Sequence, residues 1–148
     1  MIILLTALSL PARSAEWLRY PALSPDGKTI VFTHGADLYT VPTSGGEARQ
    51  LTQHVTREFH PLWSPDSQQI AFASDRHGNH DVFIIPCSGG TARRLTHHSN
   101  DDLPWSFSAD GSAVIFSSTR LDSATTLDIP NGRAGESGHS QAQGGKPT

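Results

Sequence analysis

One cysteine, Cys87, and one methionine stand among the 148 residues, so no internal disulfide framework holds this chain together. That scarcity leaves the compartment open, because larger exported domains often need no bridges. Cys87 itself reads as a small, half-buried strand side chain. Charge is also sparse, at 17% of residues with a formal net charge of −3. Without a basic excess to neutralise phosphates, no nucleic-acid partner is expected. Long apolar runs are missing too. The longest, MIILLTALSL, has ten residues, about half of what a membrane span needs. It has the length of an export-signal core and is followed by Pro11 and small residues. No Lys or Arg precedes it, and Arg13 sits where cleavage after Ala15 prefers a small side chain. Residues 1–15 are therefore read as an export signal, with a buried first strand as the alternative. The remainder would be periplasmic or secreted, with no membrane span once the signal is removed.

What the chain has is turns: 13 Gly and 10 Pro within a length suited to one domain. It also repeats itself. LSPDGKTIVF (23–32) returns as WSPDSQQIAF (63–72) and as FSADGSAVIF (107–116), with Asp26, Asp66 and Asp110 spaced by 40 and then 44 residues. Downstream, DLYTVPTSGGEARQLT (37–52) aligns with DVFIIPCSGGTARRLT (81–96) at a constant offset of 44. The four extra residues thus fall in one connection, where THGA (33–36) is matched by ASDRHGNH (73–80). Insertions collect in loops because lengthening a loop costs little closure entropy.

Each copy reads as four short strands, in the second copy about 59–64, 68–73, 81–86 and 91–96. Ser-Pro-Asp-Gly suits a type I turn, with Ser first, Pro fixing φ at the second position and Gly closing the fourth. After the turn, Ile30 and Phe32, Ile70 and Phe72, and Val114 and Phe116 alternate onto one face. Val31, Ala71 and Ile115 make the opposite face apolar as well. Strands greasy on both sides are buried between layers, and four-stranded units of this length stack radially as β-propeller blades. The expected fold is all-β: a partial propeller over 16–129, with blades at about 20–52, 59–96 and 103–129. Two blades are complete and the third is half present, its two strands lying within 103–118. The tail, 130–148, is rich in Gly, Ser and Gln without periodicity and reads as disordered. An uncovered last blade exposes an edge and an apolar face, which invites self-association.

Candidate sites are few. In SDRHGNHD (74–81), Asp75, His77, Asn79 and Asp81 alternate in a spacing that offers oxygens to a hard cation, yet Asp, Asn and Gly are also what a turn between strands uses. His77 and His80 are three apart and His97 and His98 adjacent, without the converging set that zinc needs. His54 and His98 hold equivalent places in two blades, either lining one face of the ring or filling a shared structural slot. Ser24, Ser64 and Ser108 each open a turn and lack a nucleophile elbow. Leu23, Trp63 and Phe107 share a slot before the turn serine and are expected to pack between blades. Pro104 stands four residues before its serine, where Pro21 and Pro61 stand three before theirs, which predicts a bulge in the third blade. No catalytic, cofactor or metal residue is assigned.

SPDGKTIVF, the VPxxGGEARQLT ending and WSPDSQQIAFASDRHGNHDVFIIP resemble the propeller repeats of TolB, tricorn protease and related exported hydrolases. EWLRYPALSPDG (16–27) and RRLTHHSNDDLPWSFSADGSAVIFSSTRLDSA (93–124) are similar to bacterial tricorn-like serine peptidases. The resemblance covers about 16–124. It implies an N-terminal, non-catalytic propeller that binds or gates peptides through blade edges and a propeller face, for a catalytic domain outside this chain. No position here matches the family's catalytic serine or histidine, and after Ala124 the next strands and Gly-Gly ending are not evident, as in a truncated or shifted reading frame. The rival reading is a TolB-like periplasmic interaction module. TolB proteins carry a domain ahead of the propeller, for which repeats beginning by Tyr20 leave no room. A third places the blades before a prolyl oligopeptidase-type hydrolase.

Overall fold

The Ser-Pro-Asp segments build hairpin turns of one design. In the computed structural model, which describes residues 17–119 and the backbone of 125–128, the Ser24 carbonyl accepts from Gly27 N–H at 2.8 Å and Ser24 N–H donates to the Thr29 carbonyl at 2.8 Å. The Ser24 hydroxyl donates to Asp26 Oδ1 at 2.6 Å and accepts from Thr29 N–H at 2.9 Å. Ser64 and Ser108 repeat these bonds with Asp66 and Gln69, and with Asp110 and Ala113. The fourth turn residue has φ of +73° at Gly27 and Gly111, and +60° at Ser67. Ser67 thus carries a side chain in a region that favours glycine. Its hydroxyl is put to use, accepting from Asp26 N–H of the neighbouring turn at 3.2 Å.

Each turn joins two strands of an antiparallel sheet. The first sheet orders β1 (Arg19–Leu23), β2 (Thr29–His34), β3 (Asp37–Pro42) and β4 (Arg49–Gln50) in sequence. The second does the same with β5 (Glu58–Trp63), β6 (Gln69–Ser74), β7 (Asp81–Pro86) and β8 (Arg93–Arg94). The third contains β9 (Asp102–Phe107), β10 (Ala113–Ser118) and β11 (Thr125–Asp128). The described residues form no helix, and the sheets are three propeller blades. Two details differ from the sequence reading. The outermost strands are two residues long, where six were expected at 91–96. The third blade, expected to stop at two strands, has a third, with β11 pairing from Ala113↔Asp128 to Phe116↔Thr125. The export-signal and tail segments, 1–15 and 130–148, lie outside the described residues.

Strand alternation decides the packing. Ile70, Phe72, Phe83 and Ile85 turn toward the first blade, where they meet Val31, Leu38 and Leu51, with Ala22, Trp63, Cys87 and Ala92 at the margin. Ala71, Val82 and Ile84 turn the other way, onto Val114, Phe116 and Phe107 of the third blade. The second blade is therefore sandwiched, and burying one Phe or Ile from water contributes about 1.5–3 kcal/mol. We call the face toward the preceding blade leading and the opposite face trailing. Trp63 and Phe107 pack on their leading faces as expected. Leu23, in the same slot of the first blade, is instead 59% exposed, because no described blade stands in front of it.

The first strands β1, β5 and β9 pack against one another in succession and line the inner side of the array. The bulge expected in the third blade is there, at Trp105 of β9, where the consecutive Ile115 and Phe116 of β10 pair with Ser106 and Pro104. The other two inner strands also shift register, between Arg19 and Ala22 and between Phe59 and Leu62. In those two blades Tyr20 and His60 take φ of +53° and +54°. The matching position in the third blade is Pro104, whose ring holds φ near −65° and forbids that conformation. Its bulge therefore has a different form and leaves Trp105 unpaired and 62% exposed.

Candidate functional site

The inner strands carry a candidate recognition surface. Each is the edge of its sheet, so one side of its backbone has no strand partner there. Around the bulges gathers an aromatic and cationic group. The Tyr20 ring lies 4.8 Å from His60 and 6.1 Å from Phe59, and Phe59 meets His80 edge-on at 5.1 Å. The Arg57 guanidinium sits 5.4 Å over Phe59. Position-by-position reading missed this group, since Tyr20 and His60 are brought together only by two left-handed residues at equivalent bulges.

The SDRHGNHD loop is built for attachment to its neighbours. Asp75 Oδ1 accepts from Arg57 N–H at 3.0 Å. His77 stacks on Phe83 at 6.1 Å. Asn79 donates to the carbonyls of His98 and Asn100, each at 2.9 Å. Asp81 is fully buried and paired with Arg94 at 2.7 Å. The four alternating side chains thus go to four separate places, and no group of three metal-ligating side chains converges among the described residues. His80 Nδ1 lies 3.3 Å from Asp101 Oδ1, which also accepts from His80 N–H at 2.8 Å. This four-residue extension therefore fastens the second blade to the entry of the third.

His54 and His98 fill one structural slot. His54 Nδ1 accepts from Thr56 N–H at 3.2 Å and His98 Nδ1 from Asn100 N–H at 3.1 Å, each closing a turn two residues on. His97 is exposed. The three turn serines face aspartates, with no histidine in reach of the hydrogen bonds they make. Cys87 lies one residue past β7, half-buried, with its N–H on the Gln68 carbonyl. Two open clefts of about 430 and 450 Å³ run between the first and second blades. One is lined by Leu51, Arg76 and Ile85, the other by Lys28, Glu47, Arg49 and Trp63. Arg49 crosses this junction to donate to the carbonyls of Ser88 and Cys87, at 2.8 and 2.5 Å.

Buried acids were also missed. Glu58 and Asp102, 44 residues apart at the starts of β5 and β9, are both fully buried. Their N–H groups donate to the carbonyls of Ala36 and His80, at 2.8 and 2.7 Å. Glu58 is ion-paired with Arg76, whose guanidinium also covers the Phe83 ring at 4.6 Å. Burial pushes the Glu58 carboxyl above its ordinary range, against the opposing pull of Thr52 and Arg76. The same spacing in the sequence relates Arg76 to Arg120, and that recurrence was the available signal.

The turn carboxylates shift the other way. Hydrogen bonds from the Ser24, Ser64 and Ser108 hydroxyls, then from backbone N–H groups two residues on, hold Asp26, Asp66 and Asp110 below the ordinary value. Asp110, which also receives the Ser112 hydroxyl, is lowered to about 2. Such a group adds stability above its unfolded value and loses it as pH falls through the folded one. For Asp110 the window runs from 3.8 down to about 2. Glu58 acts in reverse, favouring the fold at low pH and losing that contribution as pH rises through its raised value. Urea midpoints at pH 5, 3 and 2 are expected to fall less steeply in Asp110→Asn than in the parent chain. Parallel declines would show that this turn does not titrate with folding.

Comparison with known proteins gives the array a lineage. The chain is 38% identical over 68 residues to Tricorn protease homolog 1 of Streptomyces coelicolor, covering 46% of this chain and 6% of that protein. Over 55 residues it is 46% identical to the uncharacterized peptidase YuxL of Bacillus subtilis, covering 34% and 8%. It thus spans less than a tenth of either relative. Among solved structures, the putative TolB of Agrobacterium tumefaciens superposes with a TM-score of 0.67 at 24% identity, over 82% of this chain and 48% of that one. The tricorn protease does so at 0.60 and 18%, over 75% and 12%. At these identities the superpositions show the shared fold. Residues 15–131 match the family described as the tricorn protease N-terminal beta propeller domain, and the chain belongs to that family.

Proposed function

We propose that this chain is the non-catalytic propeller portion of an exported tricorn-like serine peptidase, binding or gating extended peptides for a catalytic domain elsewhere. The observation that carries the reading is the row of inner edge strands, β1, β5 and β9. Backbone groups without a strand partner on that side can receive a peptide as an added strand, and the flanking Tyr20, His60 and Trp105 would sort its side chains. Export to the periplasm or beyond rests on the apolar run and small residues of 1–15. The family relationship to peptidases favours this reading. The likeness to TolB structures keeps an envelope interaction module as the second one. Coding sequence beyond Thr148 separates them, since a serine peptidase region supports the first and a stop after further blades the second.

The binding test uses fluorescently labelled peptides and the full chain. An unmodified extended peptide is expected to bind, and the same peptide with N-methylated backbone to lose at least tenfold in affinity. Equal binding of both would remove edge pairing from the account. No peptide product is expected to form. Turnover abolished by changing Ser24, Ser64 or Ser108 would overturn the non-catalytic assignment.

A further inference from the structure

Phe59 is the hub of a group whose charge two imidazoles control. Its half-buried ring is met edge-on by His80 at 5.1 Å and by His60 at 5.7 Å, with the Arg57 guanidinium 5.4 Å over it. Tyr20 closes the group from the first blade, 4.8 Å from His60. Arg57 is exposed, and among the described residues no carboxylate pairs with its guanidinium. The backbone beneath is strained at two matching slots, where Tyr20 and His60 take φ of +53° and +54°. That conformation is costly for a residue with a Cβ, and such strain gathers where a ligand is met.

The surrounding charges offset one another. Arg19, at the start of β1, and Arg57 are positive. Asp75, which accepts Arg57 N–H, and Asp101, 3.3 Å from His80 Nδ1, are negative. Glu58 and Arg76 pair with each other, Asp102 is buried, and Asp37 is engaged by His54 N–H and Gln50. Protonation of His60 and His80 therefore makes the group positive. Imidazole gains its charge between about pH 8 and 5, a range in which peptide carboxylates stay ionised. His54, His77, His97 and His98 stand on connections at this same end of the array, whereas the opposite end carries the turn carboxylates Asp26, Asp66 and Asp110. We propose that an acidic side chain of a bound extended peptide seats among Arg57, His60 and His80 at the Phe59 ring, held more tightly as pH falls. This inference rests on the peptide-binding proposal and adds the side-chain class that this part of the inner edge selects.

Two labelled extended peptides test it, alike except for one Glu or Gln and amidated at the C-terminus so that only the side chain differs. Fluorescence anisotropy with the full chain should show a preference for the Glu peptide of about twofold at pH 7.5, rising to about fivefold at pH 5.5. Arg57→Gln, at an exposed side chain, should weaken the Glu peptide at both pH values and leave the Gln peptide unchanged. His60→Asn combined with His80→Gln should abolish the rise. Asn tolerates the left-handed backbone at residue 60, and circular dichroism checks the fold of each variant. A Glu preference that does not change with pH would overturn the carboxylate site, as would a rise that survives in the double variant. Equal binding of both peptides at both pH values would remove this site and leave edge pairing standing. Binding of neither peptide would sink both proposals.

Discussion

Replacing Phe72 with alanine is expected to lower the unfolding free energy by about 3–5 kcal/mol, the usual range for a large aromatic removed from a packed core. Phe72 has no exposed surface. It stacks on Phe83 at 5.7 Å between ring centroids, lies 5.9 Å below the Arg76 guanidinium, and belongs to the cluster that joins the first two blades. Its neighbours sit on strands pinned at both ends by turns and ladder bonds, so the void cannot collapse easily. Phe72→Leu keeps most of the volume and should cost less than about 1.5 kcal/mol. Urea titration measures both. Hydrogen exchange should show the added opening at Val31 and Leu38 of the first blade before it reaches β10. A loss below about 1 kcal/mol for the alanine variant would show that packing between blades is not the main source of stability.

Asp81→Ala is expected to cost about as much, about 3–5 kcal/mol, for a different reason. Asp81 is fully buried, paired with Arg94 at 2.7 Å, and accepts the Thr96 hydroxyl at 3.2 Å. That hydroxyl in turn accepts from Val82 N–H at 2.9 Å. Removing the carboxylate leaves a guanidinium largely out of water without its counter-charge, and breaks the fastening of the two-residue β8 to β7. The double variant Asp81→Ala with Arg94→Met should therefore be less destabilised than the sum of its parts, which a double-mutant cycle reads directly. In the first blade the matching Asp37 is half-buried and meets the neutral Gln50 at 2.9 Å, so Asp37→Ala should cost less. Equal costs at the two positions would argue that burial of the pair is not what matters.

The residues that made the propeller legible are those whose chemistry is periodic. Ile70, Ala71 and Phe72 announce a strand buried on both faces, and three Ser-x-Asp turns count the blades. Thr125 to Asp128 carry no such signature. β11 is recruited by the free edge of β10, and that pairing is a tertiary matter which a strand's own composition does not reveal. β4 and β8 are two residues long, and single backbone bonds continue their pairing, Leu51 N–H to the Leu38 carbonyl and Leu95 N–H to the Val82 carbonyl, beside the side-chain fastenings of Gln50 to Asp37 and Arg94 to Asp81. The inner-strand site was hidden more deeply. Tyr20 and His60 approach each other only because both adopt left-handed backbone, which neither residue favours by itself. Nothing in the local sequence sets Glu58 and Asp102 apart from surface acids. Only the arginine spaced identically behind each hinted that they belong inside.

The unequal hairpins between the second and third strands mean that the blades are not spare parts for one another. A duplicated first blade in the middle position would preserve the oily sandwich but bring only Gly35 and Ala36 at its hairpin, without Asn79 to grip the carbonyls of its successor. Recombination among the repeats, easy at the level of coding sequence, would then yield arrays that still form sheets but hinge loosely at that seam. The order of blades is thus a heritable property of the molecule, written in a connection four residues longer than its counterpart.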